Sequence, residues 1–279
     1  MSVCDAHIHL FAGGYAGRSG ASPAGGEEAS VYDELRAQHD IESALVVGYT
    51  AEARYHGNNA DILALAAHHR WMRPLAYVDA GAGPADARAA LAAGFYGLSV
   101  YATDRLGPQE TAELLSRIAT PLVERRGLLS INVIPGNYRA VLDVSEQFPE
   151  LRILLSHLGL PAAGARTPAD VAAALAWLPR LAAGPNTRVK VSGGYALGGM
   201  VPVADVVAVV ADAFGSDRLL WGSDFPVVLD HEAFDDALGG AWLRGVPPPA
   251  RTAVLGDNLR RLLAEVDHVA QPCSAMNRA

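Results

Sequence analysis

Eight short apolar runs recur along the chain, each set apart from the next by a stretch of helical character, and this alternation limits the fold more than any other feature. The runs are Val3–Leu10, Ala44–Gly48, Pro74–Val78, Gly97–Tyr101, Leu128–Val133, Arg152–His157, Val189–Ser192 and Leu219–Asp224. The predicted helices between them lie near Tyr32–His39, Asp61–His69, Pro84–Ala93, Pro108–Arg126, Tyr138–Gln147 and Val203–Phe214, with an Ala-rich one after the N-cap signature Thr167-Pro168-Ala169-Asp170. Strands buried on both faces read as continuous apolar runs, and alternating βα units build a parallel sheet. Eight units imply a closed (β/α)8 TIM barrel, and a length of 279 residues suits one. An open doubly wound sheet is the alternative, but no Gly-x-Gly-x-x-Gly turn follows the first strand. No linker divides the chain, so residues 1–270 are expected to form one barrel domain, closed by helices that include Arg251–Glu265, with 271–279 as a tail.

Composition narrows the partners. Hydrophobic residues make up 51% of the chain, enough for a full core, and 22 basic against 30 acidic residues give a net charge of −8. With no basic stripe, nucleic acid is excluded as a partner. No apolar run reaches the roughly 20 residues of a membrane span. The N-terminus lacks a charged region followed by a long apolar run, and the only cysteines, Cys4 and Cys273, are too few for a disulfide framework. A cytoplasmic monomer or homodimer acting on a small molecule is expected.

In a TIM barrel the chemistry sits at the C-terminal ends of the strands. His7 and His9 alternate on the first run and so project together. His157 ends the sixth run and Asp224 the eighth, and strand parity puts Asp224 with Gly222 and Leu220, and His157 with Leu155 and Ile153. Three imidazoles and a carboxylate suit one divalent ion of the zinc or manganese class, with a position left for water. Such an ion lowers the pKa of its water toward neutrality, and Asp224 is placed to take the proton. The plain alternatives are a core histidine for His157 and a helix cap before Pro226 for Asp224. Further polar residues near strand ends are candidates for substrate contact: Arg54 and His56, Tyr101, Asn132, Lys190, Tyr195 and His231. The Gly-rich run 12–26 follows His9 directly and is either a surface loop or a lid.

These residues resemble the amidohydrolase superfamily, in its amidohydrolase-2 branch of small TIM-barrel hydrolases. The matching pieces are Asp5-Ala6-His7-Ile8-His9, Ser156-His157-Leu158-Gly159, Trp221-Gly222-Ser223-Asp224-Phe225-Pro226 and Asp257-Asn258-Leu259-Arg260-Arg261-Leu262, in family order over nearly the whole chain. The resemblance implies a hydrolase with His7, His9, His157 and Asp224 as metal ligands, and Asp224 and His157 as catalytic residues. Two-metal sites of the superfamily use a carboxylated lysine on strand 4, and Gly97–Tyr101 has none. One metal is therefore the most that is implied, and some lactonases of the branch work with none. His56-Gly57-Asn58-Asn59 and Val189-Lys190-Val191-Ser192-Gly193 resemble lactonase segments. Opening of a small cyclic ester is thus the first expectation. Non-oxidative decarboxylation is the alternative, weakened because no histidine lies between His157 and His231. A degraded barrel with a binding or biosynthetic role is the second alternative. The branch's pyrone-dicarboxylate lactonases carry a Gly-x-Arg-Gly-x-Arg pattern around strand 4, whereas this chain has Gly94-Phe95-Tyr96-Gly97-Leu98-Ser99. Without those guanidinium forks a neutral or singly charged substrate is expected, with Arg54 the nearby cation.

Overall fold

The computed structural model describes residues 2–103, 105–160 and 167–270. The predicted tail 271–279, with Cys273, lies outside them. Eight parallel strands run in sequence order around one sheet: β1 (Val3–Ile8), β2 (Ile41–Val47), β3 (Met72–Tyr77), β4 (Gly97–Ala102), β5 (Leu128–Val133), β6 (Arg152–Leu155), β7 (Thr187–Val191) and β8 (Leu219–Trp221). The sheet closes where the chain beyond β8 meets β1. Ile8 bridges Phe225, His9 N–H donates to Phe225 O at 2.6 Å, and Asp224 N–H donates to His7 O at 2.8 Å. The expected single-domain (β/α)8 barrel is the observed fold.

The outer layer holds α1 (Glu28–Gln38), α2 (Asn58–Ala66), α3 (Pro84–Ala93), α4 (Pro108–Glu124), α5 (Tyr138–Gln147), α6 (Pro168–Leu175), α7 (Leu178–Ala182), α8 (Val203–Phe214) and α9 (Phe234–Gly239). Local chemistry sets their ends. Gly94, in a left-handed conformation, stops α3, and the Thr167–Asp170 capping box starts α6, as their sequences predict. A final helix, α10 (Asn258–Ala270), plugs the N-terminal end of the barrel. Its Leu259, Leu262 and Leu263 pack with Cys4, Leu45, Leu128, Leu154 and Leu220 in one inner cluster. That plug leaves the opposite end of the barrel for chemistry. No described helix is long and apolar enough to cross a membrane.

Three predicted strands are shorter than their apolar runs, and all three differences fall at the site. β1 ends at Ile8, one residue before His9. β6 ends at Leu155, two residues before His157, and β8 ends at Trp221, three residues before Asp224. His157 (φ 52°) and Asp224 (φ 62°) both adopt the left-handed backbone region that non-glycine residues rarely visit. Strand parity therefore does not carry to these two residues: the backbone has left the ladder, and turns aim the side chains. The predicted helix Arg251–Glu265 is helical throughout, with a π-helical turn over Ala253–Asp257 that continues into α10.

Candidate active site at the C-terminal end of the barrel

His7, His9, His157 and Asp224 converge, all buried at 6% exposure or less. His7 Nε2 lies 3.2 Å from His9 Nε2 and 3.5 Å from Asp224 Oδ1, and His9 Nε2 lies 3.8 Å from the same oxygen. His157 Nδ1 faces Asp224 Oδ2 at 3.8 Å. One ligand atom from each of His7, His157 and Asp224 falls within 4.8 Å of the others. Asp224 does not cap a helix. Its Oδ2 accepts a hydrogen bond from the Tyr195 hydroxyl, and the short 3-10 turn after it is led by Pro226 with no side-chain cap.

Neighbours fix the rings of His9 and His157. His9 Nδ1 donates to Val47 O at 2.7 Å, so its Nε2 carries the lone pair that faces the cluster. The His157 ring rests on Gly193 (φ 65°), where a Cβ would stand 2.6 Å from Nδ1. Only glycine fits that contact and that backbone together. Ser192 Oγ holds the same nitrogen at 3.2 Å. Asp5, fully buried, accepts from His7 N and Ser223 N at 3.0 Å each and from the Tyr32 hydroxyl at 3.0 Å. It ties β1 to the turn carrying Asp224. The sequence placed Asp5 in a motif but gave it no role. Its signal was a carboxylate inside an otherwise apolar strand, which needs partners when buried.

Burial dominates the electrostatics. It raises Asp224 from 3.8 to about 7, although the Tyr195 hydrogen bond pulls the other way. It lowers His9 to about 4 and His157 to about 3, with the Lys190 charge adding to both, and holds His7 well below its usual value. The imidazoles are neutral at pH 7, as ligands or acceptors must be. Burial likewise keeps the Tyr101 and Tyr195 phenols protonated far above the ordinary range.

The other predicted contact residues divide. A cavity of about 230 Å³ over the cluster is lined by His9, Tyr15, Tyr101, His157, Tyr195 and Asp224, among others. Tyr101 and Tyr195 therefore face it, the former with its hydroxyl 3.4 Å from His9 Nε2. His231 stacks on Tyr195 at 3.9 Å between ring centroids and meets Arg18 Nη2 at 2.9 Å, behind the tyrosine rather than over the cluster. Asn132 is buried at the end of β5 and lines none of the described cavities. Lys190 is fully buried and lines none of the described cavities. Its Nζ lies beneath the site on Ser130 Oγ (2.7 Å) and His7 Nδ1 (3.2 Å), and desolvation brings it down to about 7. Arg54 is half-exposed and pairs with Glu52 at 3.6 Å. His56 lines a neighbouring cavity, in which the cation is Arg105, a residue the sequence gave no reason to single out.

The Gly-rich run is pinned over the site by a residue that pattern reading missed. Glu28, buried at the start of α1, accepts from Phe11 N (2.8 Å), Tyr15 N (2.5 Å) and Ser22 Oγ (2.8 Å). Phe11 and Tyr15 thereby become walls of the cavity.

Comparison with known proteins agrees with this architecture. An L-fucono-1,5-lactonase of Burkholderia ambifaria is 36% identical over 141 residues, which span 45% of this chain and 46% of that protein. A zinc-bound amidohydrolase of Burkholderia multivorans superposes with a TM-score of 0.72 at 20% identity, over 95% of this chain and 99% of its own. Amidohydrolase 2 of Bifidobacterium longum subsp. infantis gives 0.66 at 18% identity, over 95% and 99%. At such identities the structures show the fold alone. The amidohydrolase family model (Amidohydro_2) matches residues 4–264, from the first strand into the last helix, and the chain belongs to that family.

Proposed function

We propose that the protein hydrolyses a small cyclic ester, a sugar-type lactone, with Asp224 as general base. The observation that carries this reading is the Asp224 carboxylate, buried at the floor of the cavity, one oxygen toward His7 and His9 and the other held by Tyr195. Burial sets its pKa at about 7, near the value at which a base works best at neutral pH. Asp224 takes a proton from the attacking water as its oxygen bonds to the lactone carbonyl carbon. The ring C–O bond then breaks, and the same proton passes to the leaving alkoxide. The protonated Tyr101 phenol, beside His9, is placed to donate to the carbonyl oxygen. His157, held by Ser192 against Asp224, keeps the carboxylate aimed. The L-fuconolactonase relative supports the choice of ester.

The donor set also fits a divalent ion. Bonds of about 2.0–2.1 Å at tetrahedral angles put neighbouring ligand atoms roughly 3.3 Å apart. The spacings among His7 Nε2, His9 Nε2 and Asp224 Oδ1 are 3.2, 3.5 and 3.8 Å. His7, His9, His157 and Asp224 would hold the ion, and the Burkholderia multivorans relative binds zinc. When bound, it would polarise the carbonyl and acidify the water.

The test is a panel of aldonolactones assayed by proton release, with the purified protein before and after chelation. Turnover of at least one sugar lactone is the expected result. Release of carbon dioxide from a carboxylated substrate, with every lactone inert, would overturn the proposal.

A further inference from the structure

Beside the catalytic cavity lies a second, larger one of about 570 Å³, over the ends of β2, β3 and β4. Tyr49 and Tyr101 line both cavities, so the two are separated only by shared walls. The catalytic cavity alone, at about 230 Å³, is smaller than the roughly 300–1,000 Å³ usual for ligand sites.

The lining of the second cavity is specific in its chemistry. Tyr49, Tyr77 and Tyr101 form an aromatic wall, with ring centroids 4.8 to 6.0 Å apart. Around it stand one cation, Arg105, one carboxylate, Asp79, and the His56 imidazole. Arg105 Nη1 is anchored on Ala51 O at 2.9 Å, which fixes the guanidinium at the rim. Asp79 Oδ1 is anchored on Gly81 N at 2.9 Å. Both charges act on the Tyr77 phenol: Asp79 pushes its pKa up along with burial, and Arg105 pulls it down. Donor and acceptor thus line the same cavity as the tyrosine wall.

A dianion does not suit this lining, because Asp79, and Glu52 next door, would repel it. An apolar group would cover Arg105 and Asp79 while offering neither a hydrogen-bond partner. A polyhydroxylated ring answers all of it: its C–H face lies on tyrosine, and its hydroxyls both donate to Asp79 and accept from Arg105.

We infer that the second cavity is a subsite for a sugar unit attached to the lactone ring, so that the preferred substrate is a glycosylated aldonolactone rather than a single-ring one. This rests on the lactonase reading and extends it by naming the substrate class.

The experiment compares the best one-unit aldonolactone of the panel with the two-unit aldonolactone built on the same ring, in wild type, Arg105→Ala and Tyr77→Ala. The two-unit lactone is expected to show a KM lower by roughly tenfold or more. Each variant should erase that advantage, with kcat little changed and the one-unit lactone unaffected. Arg105 is a rim residue, so its variant keeps the test decisive if Tyr77→Ala is poorly folded. Equal KM values for the two lactones in wild type would overturn the subsite, as would equal losses on both lactones in Arg105→Ala. If neither lactone turns over, the lactonase reading fails by itself. The subsite is then judged by titration calorimetry with the corresponding open-chain aldonates. Tighter binding of the two-unit acid, lost in Arg105→Ala, supports it, and equal binding overturns it.

Discussion

At the scale of single residues, the site is built from groups whose ordinary protonation is shifted by burial. Asp224 is raised from 3.8 to about 7, so the folded protein binds a proton that the unfolded chain releases between those values. The stability tied to the protonated carboxyl is intact below about pH 4 and lost as pH rises through about 7. Asp224→Asn removes that dependence. In metal-stripped protein the Asn variant should therefore gain melting temperature relative to wild type on going from about pH 5 to about pH 8. A gap that narrows over this range would mean that the ionised carboxylate is stabilised, not strained, by its surroundings. Gly193 gives a second expectation. Its missing Cβ is the space into which the His157 ring fits, at a backbone φ of 65°. Gly193→Ala should cost at least tenfold in kcat/KM, since both the ring position and the backbone are disturbed. A crystal structure of the variant with His157 unmoved would contradict this.

At the scale of elements, the alternation of apolar runs and helices was legible because both periods are strong and some helix ends carry their own signal, as at Gly94 and Thr167–Asp170. The delivery of the candidate site's side chains was not. A run such as Leu219–Asp224 reads as one strand, yet pairing stops at Trp221, and a left-handed turn carries Asp224 inward. Nothing in a one-dimensional pattern marks where a ladder stops. Glu28 and Asp5 were hidden for a related reason: a buried carboxylate is identified by the backbone N–H groups that meet it, and those come from distant segments. At Gly256 the π-helical turn before α10 comes so close to the start of β1 that a Cβ would lie 2.5 Å from Ser2 O. The loop pinned by Glu28 is the element to probe. Glu28→Ala removes the acceptor of Phe11 N, Tyr15 N and Ser22 Oγ, so residues 12–26 should become the preferred site of limited proteolysis and KM should rise, while the barrel melts cooperatively. Unchanged protease resistance would show that other contacts hold the loop.

At the scale of the whole molecule, one end of the barrel is closed by α10 and carries stability, while the other gathers four buried ionisable side chains that gain nothing from burial unless they bind or react. If the cluster holds a divalent ion, added zinc should raise the melting temperature of stripped wild type in a concentration-dependent way and leave His7→Ala unmoved. An equal rise in both proteins would place the ion elsewhere. The larger expectation is that this end opens a lactone by way of one carboxylate. A general base contributes roughly 10²–10⁴ in rate. The decisive measurement is kcat on the best aldonolactone of the panel for wild type and Asp224→Asn, both first shown to fold with the same circular dichroism spectrum. A loss of at least about a hundredfold in kcat is expected for the amide, with the residual rate no longer rising with pH through about 7. Turnover by Asp224→Asn within a few-fold of wild type would contradict it.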